Sequence, residues 1–224
     1  MDARLATEKA RQLKISVVQI VREEYEIVLL SSLFDSSFAK KLVFRGGTAL
    51  RLAYNSPRFS DDLDFSLLGP IRFPVFRKWC REVTGANPNL SLAESIKKRF
   101  TLFALFKVND PILKETISIK IEISLRREQW VRDINFTLMR LSSEVTPKTA
   151  LAQVVTPSWI EKEKLSIDPP RVRDIFDLWF IGQLLNRRYK MDFSRFGSNE
   201  VKRELNRLLP EGKRMLVEPW LLKK

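Results

Sequence analysis

Two carboxylates sit two residues apart inside an apolar run in Arg58-Phe59-Ser60-Asp61-Asp62-Leu63-Asp64-Phe65, and they constrain this chain more than any other feature. A β-strand sends alternate residues to one face, so Asp62 and Asp64 point together while Leu63, Phe65 and Leu67 face a core. Such a pair can hold Mg²⁺. Upstream, Phe44-Arg45-Gly46-Gly47-Thr48-Ala49-Leu50 reads as a strand, a glycine turn and the start of an amphipathic helix. Glycine lets backbone N–H groups approach a phosphate at a helix start, where the dipole favours anions and a Cβ would stand in the way. Taken singly, the Gly-Gly pair is an ordinary strand-to-helix turn and the aspartates an acidic edge strand. Their order and spacing together suit metal-dependent nucleotidyl transfer.

The rest of the chain narrows the chemistry. There is no histidine, which removes a Ser-His-Asp triad, a histidine-ligated zinc and an imidazole general base. Acid-base and metal work must then fall to carboxylates, lysines or tyrosines. Lys and Arg number 40 against 27 Asp and Glu, a formal charge of +13 that favours a polyanionic partner such as RNA, DNA or nucleotide phosphates. The lone cysteine, Cys80, cannot form an internal disulfide and lies in Phe76-Arg77-Lys78-Trp79-Cys80, which reads as a buried structural thiol. The first thirty residues carry charges throughout, and no apolar run approaches the roughly 18 residues of a bilayer span, so neither a signal peptide nor a membrane helix is expected. A cytoplasmic setting fits.

Periodicity predicts one or two helices over residues 3–30, where Leu13, Val17, Ile20, Val21, Tyr25 and Val28 recur at three- and four-residue spacing. A strand over 41–45, a helix over 48–54, a strand over 60–67 and a helix over 74–84 follow, with a loop over 85–89. Strand-like stretches over 99–108 and 115–125 flank Asn109-Asp110-Pro111 and are expected to pair as a hairpin. In the second, Ile117, Ile119, Ile121 and Ile123 alternate with polar residues, which brings Glu122 to a cleft as a third carboxylate. The alternative for Glu122 is an exposed strand residue paired to Lys120 or Arg126. Past Glu144 the β character is expected to end and helices to take over. The expected fold class is α+β: an α+β lobe with N-terminal helices over 1–140 and an α-helical C-terminal lobe over 141–224. Arg51 and Arg58 are candidate phosphate or RNA contacts. Trp130, Trp159, Trp179 and Trp220 either stack bases or fill the core and the lobe interface.

These motifs, together with Glu163-Lys164-Leu165 and Arg173-Asp174-Ile175-Phe176-Asp177-Leu178, resemble the AbiEii/AbiGii-type, or MenT-type, nucleotidyltransferase toxins. That family belongs to the DNA polymerase β nucleotidyltransferase superfamily, and the resemblance spans roughly residues 40–185. It implies a polymerase-β-like lobe and a toxin of a toxin-antitoxin or phage-defence system, acting with two Mg²⁺ ions or with Mn²⁺. The substrates it implies are an NTP and an RNA acceptor, characteristically the tRNA 3′ end, and the implied protein partner is a cognate antitoxin. By position, Asp62 and Asp64 are the implied metal ligands, joined by Glu122. Gly46 and Gly47 form the phosphate-binding turn, and Thr48, Arg58 and Ser60 complete the nucleotide-binding set. Lys164 neutralises the triphosphate, with Lys162 as the alternative, and Asp177 supplies the acidic group of the second lobe. Asp174 has either a catalytic or a structural part, the latter with Arg173. Two other readings remain open. One is the same fold with a small-molecule or protein-hydroxyl acceptor, and the other is a non-catalytic nucleotide- or RNA-binding module.

Overall fold

A computed structural model describes residues 1–221. Helix α1 (Ala3–Leu13) begins on Asp2, whose carboxylate accepts from the N–H groups of Arg4 and Leu5 and so satisfies two donors that the helix leaves unpaired. It stops where Lys14 turns left-handed, and α2 (Val17–Phe34) starts at once on a Ser16 cap. No glycine or proline interrupts α2, and it is buried on nearly every side, including Glu23, Glu24 and Glu26. Strand β1 (Leu42–Arg45) leads into α3 (Gly46–Tyr54), then come β2 (Asp62–Leu67) and α4 (Phe73–Gly85). The chain continues through β3 (Leu90–Lys97), β4 (Thr101–Val108), β5 (Ile117–Ser124), β6 (Phe136–Leu141) and β7 (Ala150–Val155). Four helices close it: α5 (Pro157–Leu165), α6 (Val172–Leu184), α7 (Ser198–Leu208) and α8 (Glu218–Leu221).

The strands form one seven-stranded sheet in the order β3-β4-β5-β2-β1-β7-β6. It is mixed: β2 runs parallel to β5 and β1 parallel to β7, while the other neighbours are antiparallel. The α+β architecture expected from the periodicities is the one observed, and so is the antiparallel pairing of β4 with β5.

Alternation along the strands gives the sheet two different faces. On one, Phe44, Leu63, Phe65, Ile121, Ile123, Ala104 and Phe106 are buried with residues of α2 and α4 in the largest core cluster. The Phe44 and Phe65 rings stand 5.2 Å apart between centroids, inside the range where tilted aromatic pairs attract. Cys80 belongs to this core, where burial pushes its thiol up to about 12. The opposite face is covered only in part: Val43, Phe136 and Val155 pack under Leu50, Ile160 and Ile181, which belong to α3, α5 and α6. Over β2 and β5 that face carries polar side chains instead.

One expectation fails. β character does not end at residue 144, because β7 pairs with β1 inside the sheet. Its sequence is Ala150-Leu151-Ala152-Gln153-Val154-Val155, and the inward positions at 150 and 152 are alanines, which carry little β preference. Position in the sheet overrides propensity here. Residue 140, the expected border between lobes, falls inside β6, and among the described residues helices alone follow from Pro157. The C-terminal helices have a cluster of their own, with Phe176, Met191, Phe193, Val201 and Leu205 buried together. No helix among the described residues is long and apolar enough to cross a membrane.

Candidate active site

The site is built where β1 turns into α3 against the start of β2. Gly46 has φ +82, a left-handed conformation that glycine enters without steric cost. A Cβ there would stand 2.7 Å from Oδ2 of Asp64, and one on Gly47 would stand 2.5 Å from Nη2 of Arg58 and 2.8 Å from Oγ of Ser60. The need for both glycines is therefore visible in the packing: the turn lies directly against Asp64, Arg58 and Ser60. Thr48 donates its hydroxyl to the Asp62 carbonyl at 2.5 Å, which stitches the first turn of α3 to the first residue of β2.

Register brings the carboxylates together. Asp64 lies opposite Glu122 on β5 and opposite Arg45 on β1, and Asp62 lies opposite Lys120. The Lys120 ammonium stands 3.3 Å from Asp62 and 3.2 Å from Glu122, bridging the two strands. Burial disfavours its charge, but Asp62 and Glu122 outweigh that and raise its pKa. Asp64 forms no side-chain hydrogen bond or ion pair among the described residues. Burial, reinforced by the Asp62 charge, pushes its carboxyl up, against the pull of Arg45 and Lys120. Among the described residues no three acidic, histidine or cysteine side chains converge tightly enough to cage an ion as they stand. The donor chemistry nevertheless fits a divalent cation. One carboxylate lacks a partner beside a second, and an ammonium already occupies the cationic position between Asp62 and Glu122.

A second charged cluster forms where α5 and α6 meet the segment before β2. Lys164 places its ammonium 2.7 Å from Asp174 and 2.7 Å from Asp177. Arg58 is 2% exposed and clamps Asp177 with Nε at 2.9 Å and Nη2 at 2.8 Å, while Nη1 donates to the Phe59 carbonyl. Arg171 grips Asp174 with Nε at 2.7 Å and Nη2 at 3.0 Å, and Asp174 accepts the Arg171 N–H in return as a helix cap. Burial alone would raise the pKa of Asp177, yet Arg58 and Lys164 hold it below the usual carboxylate range. Asp174 is lowered in the same way, by Arg171 and Lys164 against its burial. The two halves sense each other: Asp64 is among the charges that raise the pKa of Arg171, after Asp174 and Asp177. Arg45 reaches across as well, pairing with Glu163 of α5 at 2.6 Å.

The structure thus brings Asp62, Asp64 and Glu122 together beside Gly46 and Gly47, with Ser60 against the turn. Thr48 is buried with its hydroxyl engaged at Asp62, and Arg58 spends its guanidinium on the protein itself. Arg51 does likewise, bound to Glu23 at 2.9 Å and lying over the Phe59 ring at 4.0 Å. Lys164 is the lysine that faces the cluster, whereas Lys162 is exposed and lies over the Trp159 ring. Asp174 pairs with Arg171 and Lys164, and no ion pair to Arg173 forms. Trp130 and Trp159 pack on each other at 4.6 Å, Trp179 packs on Phe176 at 5.5 Å, and Trp220 packs on the C-terminal cluster, all structural placements. Sequence reasoning missed Arg45 and Arg171, and it named Lys120 only as a partner of Glu122. The period-two rule that selected Glu122 also puts Lys120 on its face and could have flagged it. A separate cavity of about 370 Å³ between the end of α3 and α6, lined by Arg51, Asn55, Trp179, Phe180 and Lys213 among others, contains none of the site carboxylates.

The glycine turn, the paired strand carboxylates and the lysine of α5 all fall within the stretch of chain that a nucleotidyltransferase family matches. The chain belongs to the family described as nucleotidyl transferase AbiEii toxin, Type IV TA system, whose profile matches residues 28–195. Among solved structures, it is similar to JHP933 from Helicobacter pylori with a TM-score of 0.57 and 22% identity, covering 84% of this chain and 73% of that one. It is also similar to the MenT4 nucleotidyltransferase toxin of Mycobacterium tuberculosis with a TM-score of 0.60 and 18% identity, covering 91% of this chain and 68% of that one. At such identities the likeness speaks to the fold. No curated protein matches the sequence.

Proposed function

We propose that this toxin-family nucleotidyltransferase moves a nucleotide from an NTP to the 3′ end of an RNA, the acceptor end of tRNA, and is restrained by a cognate antitoxin. The observation that carries the reading is the register of Asp62 and Asp64 on β2 beside Glu122 on β5, directly against the Gly46-Gly47 turn. Asp62 and Asp64, completed by Glu122, would hold Mg²⁺, with Mn²⁺ as a substitute. Bound there, the metal would supply charge neutralisation for the triphosphate and activation of the attacking hydroxyl.

The chain's own residues supply the rest. Backbone N–H groups of Gly47 and Thr48, at the first turn of α3, would donate to phosphate oxygens, and the Ser60 hydroxyl stands beside them. Thr48 fixes the Asp62 backbone, so the carboxylates keep their place relative to the turn. Lys164 offers positive charge toward the departing pyrophosphate, an electrostatic contribution of the kind that dominates phosphoryl chemistry. Asp177 positions that lysine, and Arg58 in turn holds Asp177 while its Nη2 stands against the Gly47 turn. A formal charge of +13 suits an RNA acceptor better than a small neutral one.

The test is incubation of the protein with each radiolabelled NTP, Mg²⁺ and total RNA. Label should enter a small-RNA band with at least one NTP and vanish in the Asp62→Ala, Asp64→Ala double variant. Absence of label with every NTP, or label indifferent to the two substitutions, would overturn the reading.

A further inference from the structure

We propose that the turn between β3 and β4, with the end of β5, forms a stacking platform for the single-stranded RNA acceptor, centred on Phe100. Phe100 is 47% exposed at the tip of this hairpin and belongs to none of the core clusters among the described residues. Arg99 lies over its ring at 4.9 Å and Arg126 at 5.7 Å, so an aromatic face is flanked by two cations from different elements. Next to it Lys98 covers the Phe103 ring at 4.2 Å. Lys97, Lys98, Arg99, Arg126 and Arg127 form no ion pair among the described residues. An exposed ring with unneutralised cations around it suits stacked bases and a phosphate backbone, since every base has a π-face and every link a charge.

Its placement relative to the carboxylates gives the platform its use. Phe103 is opposite Glu122 on β5, and Thr101 is opposite Ser124. The Phe100 carbonyl accepts from the Leu125 N–H at 2.8 Å, which ties the turn to the end of β5. Phe100 therefore lies three strand positions from the neighbour of Glu122, roughly 10 Å at about 3.3 Å per residue. About three stacked nucleotides, at about 3.4 Å each, bridge that distance. An RNA end whose last bases lean on Phe100 would present its terminal hydroxyl at the Asp62, Asp64 and Glu122 cluster. The inference rests on the RNA-acceptor reading above and adds where the acceptor is held.

The test separates binding from transfer. Fluorescence anisotropy with a labelled single-stranded RNA of about twelve nucleotides, in EDTA and without NTP, reads the platform alone. Phe100→Ala should weaken binding about tenfold, and Phe100→Trp should retain it. Arg99→Ala with Arg126→Ala should make the plot of log affinity against log salt shallower by about 1.4. All variants should melt with the wild type, because the substituted side chains carry no core packing. Phe100→Ala that binds and extends RNA like the wild type would overturn the platform while leaving transfer standing. Wild-type protein that binds through Phe100 yet labels no RNA would support the platform and contradict the transfer reading.

Discussion

Gly46 and Asp177 show how little room the site leaves for substitution. Gly46→Ala must place a methyl 2.7 Å from the Asp64 carboxylate in a backbone conformation that L-residues disfavour by about 1–2 kcal/mol. Transfer should fall at least a hundredfold while the fold survives, which circular dichroism alongside the labelling assay would check. Asp177 is, among the described residues, the only acceptor shared by Arg58 and Lys164, so Asp177→Asn leaves a buried guanidinium without its counter-charge and should cost about 3–5 kcal/mol in urea unfolding at neutral pH. The same residue sets a pH dependence. Its folded pKa is depressed, so its contribution is complete above the ordinary carboxylate value of about 3.9 and drains away as pH falls toward the lower folded value. Wild-type stability should drop steeply below about pH 4, and the Asn variant should show a shallower acid limb. Cys80 offers a simpler check: its thiol, buried and pushed up to about 12, should resist iodoacetamide in the native protein and react fully after unfolding.

Strand β7 is the element on which the two halves of the chain join, because it inserts beside β1 and carries α5 away from the sheet. Ala152 is fully buried there, so Ala152→Leu overpacks the core and should lower stability by about 1–3 kcal/mol in thermal or urea melts. Leu151, 59% exposed on the same strand, should tolerate alanine with little change. This contrast also explains what could be read in advance. Strands β2 and β5 announce themselves by alternation, Leu63 and Phe65 against the aspartates and four isoleucines against Ser, Lys and Glu. Strand β7 has alanines at its first two inward positions, and β3 is an edge strand with a register shift near Leu92 and exposed Ser, Ala and Glu positions. Neither signals itself locally, and both depend on a neighbour many residues away.

Across the whole molecule, the carboxylate half of the site was legible because it is local: two short motifs and a period of two specify it. The other half was not. Lys164, Asp174 and Asp177 are named through the family resemblance, because no local pattern in their proline-punctuated segment selects them. The meeting of Asp177 with Arg58 spans 119 residues of separation and is invisible to any window. That meeting makes Arg58 a buried clamp on Asp177 whose Nη2 also stands against the Gly47 turn. The molecule emerges as a sheet whose covered face makes the core and whose open face, over β2 and β5, carries the proposed site. The most direct test of that chemistry is sequencing of RNA 3′ ends from cells expressing the wild type or the Asp62→Ala, Asp64→Ala double variant. Nucleotides absent from the genome-encoded sequence should appear on the 3′ ends of tRNAs with the wild type only. Identical 3′ ends in both samples would contradict the assignment of Asp62 and Asp64 as the centre of an RNA nucleotidyltransferase.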